Sequence, residues 1–119
     1  MITTVGIAKV AYDVIRAYRE SQGQFHTPNW GNATKQVKLD YYFISDFYLS
    51  GNFTPESAHW HWTHRMKATG WSFGHEMNKL ERKHPLLASW SNLTNAQRTE
   101  WHLFKGVVDA LNKPRTDIG

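Results

Sequence analysis

The chain of 119 residues carries 14 basic and 10 acidic residues, a formal net charge of +4, and no cysteine. That length suits one hydrophobic core and is too short for two of ordinary dimensions, so a single domain over residues 1–119 is expected. The missing thiols exclude disulfides, thiolate metal sites and cysteine nucleophiles. No run approaches the roughly eighteen apolar residues of a membrane helix, and the N-terminus lacks a signal-peptide pattern, so a cytoplasmic protein with no membrane association is expected.

The chain opens on Met1-Ile2-Thr3-Thr4 and its patterning starts almost at once, as expected of a complete small gene product. Ile7, Val10, Ala11, Val14, Ala17 and Tyr18 fall on one helical face and predict a first helix from about Thr4 to Gln22, stopped by Gly23. A polar connector with Pro28 and Trp30 follows, the indole expected to plug the gap beneath the loop. The second helix is expected from about Ala33 to Ser50, with Val37, Tyr41, Ile44 and Tyr48 on its stripe and Phe43 and Phe47 widening it.

Thr54-Pro55-Glu56 puts a hydroxyl at an N-cap, proline at the first helical position and an acid in the first turn, so a third helix is expected from Pro55 to about Thr69, with Gly70 as its stop. From Trp71 to Trp90 the helical period is lost, which predicts an irregular segment with a short hairpin. Thr94 and Gln97 form a capping box before Trp101, Phe104, Val108 and Leu111, the stripe of a fourth helix ending near Lys113-Pro114. No internal repeat, low-complexity segment or linker is visible. The expected fold is mainly α, a compact bundle of about four helices with a small irregular or β-hairpin element between the third and fourth.

Six Trp, five Tyr and six Phe exceed what a core this size requires, so some rings are expected at a binding surface. On the third helix, His59, Trp62 and Met66 share one line, Trp60, Thr63 and Lys67 a second, and His61, His64, Arg65 and Ala68 a third. A metal site built from His59, His61 and His64 with His75 or His84 is disfavoured, because His59 and His61 point to nearly opposite faces and His75-Glu76-Met77-Asn78-Lys79 lacks a zincin's second histidine. No spacing singles out a catalytic carboxylate pair or a serine triad, and no phosphate-binding glycine loop is present, so no catalysis and no cofactor are expected.

Ring-plane recognition is better supplied. Trp62 and Trp71 flank the end of the third helix, His59 can hydrogen-bond beside them, and Arg65, Lys67, Lys79, Arg82 and Lys83 offer charge for phosphate. Composition alone favours the plainer account, core tryptophans and a solvated charged face.

The order of motifs resembles the ryanodine receptor repeat (RyR) domain, found in tandem in those calcium channels and singly in bacterial and phage proteins. The likeness covers about Ile7 to Leu111: Ile7-Ala8-Lys9-Val10 through Ala17-Tyr18, Thr54-Pro55-Glu56, His59-x-x-Trp62, Gly70-Trp71-Ser72-Phe73-Gly74, His84-Pro85-Leu86-Leu87, and Leu93 and Gln97 leading to Phe104, Val107, Val108 and Leu111. His75 stands where the family usually has proline, and Glu76 to Lys79 replace its valine and aspartate. The resemblance implies a helical fold with a small β element, no catalysis, and a nucleotide-derived ligand stacked on Trp62, with His59 orienting it, in a homodimer that sets two Trp62 rings across one cleft. The alternative is a protein-interaction module using the same aromatic helix; nucleic-acid binding is the lesser expectation.

Overall fold

A computed structural model describes residues 3–112. Four helices, α1 (Thr4–Ser21), α2 (Lys35–Leu49), α3 (Pro55–Ala68) and α4 (Asn95–Leu111), pack around one core, with a two-stranded sheet, β1 (Ser72–Phe73) and β2 (Lys83–His84), between α3 and α4. Among the described residues no helix is long and apolar enough to cross a membrane. The expected end of the last helix at Lys113-Pro114 lies outside the described residues.

A threonine caps every α-helix. Thr3, Thr34, Thr54 and Thr94 accept from the backbone N–H three residues on, which satisfies one of the donors that a helix start leaves open. Thr94 and Gln97 close their capping box reciprocally, and Thr54 does the same with Ser57. Gly70, at φ +92°, ends α3 in the left-handed region that favours glycine.

The core holds Ile7, Ala11, Ile15, Ile44, Tyr48, Ala58, Trp62, Met66, Leu87, Leu93, Trp101, Phe104 and Val108. The α2 and α4 stripes face inward as expected, whereas the α1 face is rotated. Its buried residues are Ile7, Ala8, Ala11, Tyr12 and Ile15, while Val10 and Ala17 meet solvent, because Tyr12 and Ile15 fill more of the interior than the smaller residues.

The segment after α3 is not a simple hairpin. Ser72 and Phe73 run parallel to Lys83 and His84, and an antiparallel bridge between Asn78 and Lys83 closes the intervening turn, where Arg82 takes a left-handed conformation at φ 54°. Gly74 is required at this crossing, since a Cβ there would lie 2.6 Å from the Lys83 Cβ.

The structure also reveals a repeat whose trace in the sequence is a short Trp-x-Asn-x-Thr string. Trp30-Gly31-Asn32-Ala33-Thr34 and Trp90-Ser91-Asn92-Leu93-Thr94 each form a 3-10 turn that hands the chain to a threonine-capped helix. Tyr12 on α1 packs edge-on against Trp30 and Tyr41 and donates its hydroxyl proton to the Pro28 carbonyl. His59 on α3 packs against Trp90 and Trp101 and hydrogen-bonds the Ala88 carbonyl through Nε2 at 2.8 Å. Trp30 meets Tyr42 as Trp90 meets His102, with ring centroids 5.9 and 6.0 Å apart. Each half is a helix, a latch to the 3-10 turn, and a second helix. They differ in length: six residues separate Gly23 from Trp30, and nineteen separate Gly70 from Trp90.

Candidate functional site

The lines read along α3 are real, but the core takes the first of them. His59 is 2 % exposed, Trp62 3 % and Met66 3 %, because with Pro55 and Ala58 they make the only side of this polar helix that can be buried. The Trp62 ring is edge-on to His84 and tilted against Trp101, with centroids 5.2 and 5.9 Å apart. Neither Trp62 nor His59 offers a ring face to a ligand, which corrects both assignments. His59 is fixed by packing and by its bond to Ala88, and burial lowers its pKa. The paired-Trp62 cleft expected of a homodimer is unavailable for the same reason.

The other expected site residues scatter. Trp71 is half-buried against His84 and the core edge. Arg65 lies over the Phe43 ring, 4.5 Å from its centroid. The Arg82 guanidinium donates to the Thr69 carbonyl, closing the α3 terminus, and Lys83 Nζ donates to Ser72 Oγ at 2.9 Å. Lys67 and Lys79 are exposed. Among the described residues no three His, Asp or Glu side chains gather where one metal ion could be held.

Around Trp62 lies a half-buried polar cluster. Arg19 and Glu100 form a two-pronged ion pair between α1 and α4, with contacts of 2.9 and 2.7 Å. In the repeat, Asp40 matches Glu100, while the Arg19 position is filled by Met66. Asp40 therefore lacks an arginine braced against it. Burial pushes its carboxyl up to about 6, against the opposing influence of the Gln36 hydrogen bond, the Arg65 charge and the Trp62 indole. Trp62 Nε1 has no hydrogen-bond partner of good geometry among the described residues. Burial, helped by the Arg19 charge, holds His84 down at about 4, and its neutral Nδ1 accepts from the Leu86 N–H at 3.1 Å.

Concave surface lies elsewhere, where the longer connection of the second half meets the 3-10 turn and the start of α4. A groove of about 470 Å³ is lined by Phe73, His75, Pro85, Leu87, Ala88, Asn92 and Gln97. A second of similar volume shares Phe73 and His75 and continues over Glu76, Met77, Asn78, Glu81 and Lys83. The Phe73 and His75 rings meet edge-on at 5.2 Å and form the ridge between the two. Phe73 is 44 % exposed, Met77 47 % and Leu80 98 %. Gln97 Oε1 is committed to the α4 capping box, which leaves its amide N–H groups to face the groove alongside Asn92.

Sequence reasoning missed Phe73, Asn92 and Gln97 as site residues, and met His75 only as a disfavoured metal ligand and as a departure from a pattern. The available signal was the aperiodic stretch from Trp71 to Trp90, a long connection of the kind that carries function on a helical scaffold. No protein-family model, curated protein or solved structure matches the chain.

Proposed function

We propose that this protein is a non-catalytic, cytoplasmic module that binds a nucleotide-derived small molecule in the groove beside Phe73. One observation carries the reading: the two halves repeat the same helical plan, and Phe73 and His75, the rings at the edge of the groove, stand on the longer connection that only the second half holds. A volume of about 470 Å³ lies within the range of small-molecule sites. Phe73 and His75 supply ring faces, Pro85, Leu87 and Ala88 an apolar floor, and Asn92 and Gln97 amides for a heterocycle's edge. The far side of the ridge carries Lys83 together with Glu76 and Glu81, a mixed polar rim for a ligand's hydrogen-bonding groups. The sequence likeness to the ryanodine receptor repeat supports the same class of ligand, though at a different surface from Trp62.

Calorimetry against linear and cyclic nucleotides tests this. Phe73→Ala is expected to weaken binding by about tenfold or more, the worth of one base stack of about 1–3 kcal/mol, without lowering the melting temperature. A panel that gives no heat with the wild-type protein, or binding that Phe73→Ala leaves intact, overturns the reading. Ligand recovered unchanged after prolonged incubation separates binding from turnover. A protein-interaction role for α3 stands beside this reading, favoured by Trp60, which is 55 % exposed and stacked on His64 at 4.7 Å.

A further inference from the structure

The outward side of α3 carries Glu56, Trp60, His64 and Lys67 on one exposed stripe, with Thr63 half-buried beside them. Its order matters. An acid stands at one end, a base at the other, and an exposed indole near the middle, stacked on His64 with an interplanar angle of 20° and edge-on to His61. Neither Glu56 nor Lys67 takes part in an ion pair among the described residues. The matching positions of α1 are Lys9, Asp13, Ala17 and Glu20, with no aromatic ring and a reversed order of charge.

We infer that α3 is a self-association face, on which a second copy of this chain lies antiparallel across a two-fold axis that passes midway between Trp60 and Thr63 on the exposed side of the helix. The stripe is complementary to itself about that point. Glu56 stands as far before it as Lys67 stands after it, and Trp60 as far before it as Thr63 after it. One antiparallel helix pair therefore brings Glu56 of each copy to Lys67 of the other. The same pairing seats each Trp60 ring over Thr63 and His64 of the opposite helix. A two-fold contact requires a patch that meets its own copy, and this stripe does so through its Glu56–Lys67 charges and the seat that Thr63 offers Trp60. The paired stretch spans about 16 Å of helix, so the dimer is a modest one in which the central tryptophans dominate.

The inference is independent of the ligand groove, which lies on the loop after α3. Sedimentation velocity on the full chain, from low to high micromolar concentration, tests it with a charge swap. Wild-type protein is expected to move from monomer to dimer. Glu56→Lys and Lys67→Glu should each weaken the dimer about tenfold, since each turns two exposed attractions into repulsions. The double variant Glu56→Lys, Lys67→Glu should recover most of that loss, and Trp60→Ala should leave a monomer. All these positions are exposed, and unchanged circular dichroism checks that the fold is kept. A wild-type protein that stays monomeric throughout, or a dimer indifferent to both single charge reversals, overturns the inference. So does a double variant no tighter than the singles.

Discussion

Truncating Trp62 to alanine separates a core residue from a binding residue more sharply than any other single change. The ring is 3 % exposed, wedged between His84, Trp101 and His59, so its removal leaves a void that these stiff neighbours cannot fill. Losses for buried tryptophan truncations run to about 3–5 kcal/mol, against a total stability of about 5–15 kcal/mol for a domain. At roughly 4 °C per kcal/mol for this length, the melting temperature should fall by about 12–20 °C. Trp62→Phe is the control: it keeps an aromatic ring and deletes an indole N–H that has no good partner, so it should cost no more than about 1–2 kcal/mol. Thermal and urea melts followed by circular dichroism read both. A Trp62→Ala protein that melts within about 3 °C of wild type would refute the packing argument and return Trp62 to the surface role that its motif suggested.

Acid stability offers a second check, with the signs opposed. His84, held at about 4, and His59, also lowered, favour the fold above the ordinary histidine range, and that stability is lost as pH falls from about 6.5 to 4. Asp40, raised to about 6, favours the fold below its ordinary value, and its contribution is lost as pH rises through 6. The two slopes offset in the wild type between about pH 4 and 6; Asp40→Asn removes one, so its urea midpoint should climb steeply with pH there and exceed wild type at pH 7. Glu100→Gln strips the Arg19 guanidinium of its charged partner between α1 and α4 and should cost about 2 kcal/mol, read as a lower urea midpoint. Gly74→Ala places a methyl 2.6 Å from the Lys83 Cβ and should open the β1–β2 crossing, weakening ligand heat more than it lowers the melting temperature.

Much of the helical plan is legible in the residues. Thr54-Pro55 and the Thr94–Gln97 box announce their helices because capping is local chemistry, settled within one turn. Burial is not local. Val10 and Tyr12 are both plausible inward residues on periodicity, and only the Pro28 carbonyl and the Trp30 ring, brought in by a turn sixteen residues on, decide for Tyr12. The same limit hid the site. Composition favours a core place for the tryptophans, and it is the motif resemblance that makes ligand groups of His59 and Trp62; their actual partners, Ala88, Trp90 and Trp101, arrive from distant segments. The repeat leaves only a short trace in the sequence, Trp-x-Asn-x-Thr at residues 30–34 and 90–94, because the residues that latch each half differ in type. Tyr12 answers to His59 and Asp40 to Glu100, so the shared feature is what each group does, a donor to a carbonyl or an acid near the core.

The duplicated plan also bears on how the chain folds. In the first half the latch from Tyr12 to Pro28 closes a loop of 16 residues, and in the second the latch from His59 to Ala88 closes one of 29. By loop-closure entropy the shorter is favoured by about 0.5 kcal/mol. The Arg19–Glu100 clasp spans 81 residues and can lock only when both halves stand. The longer connection that carries Phe73 and His75 therefore lengthens the slower of two otherwise matched closures, and the first half is the one placed to nucleate the fold.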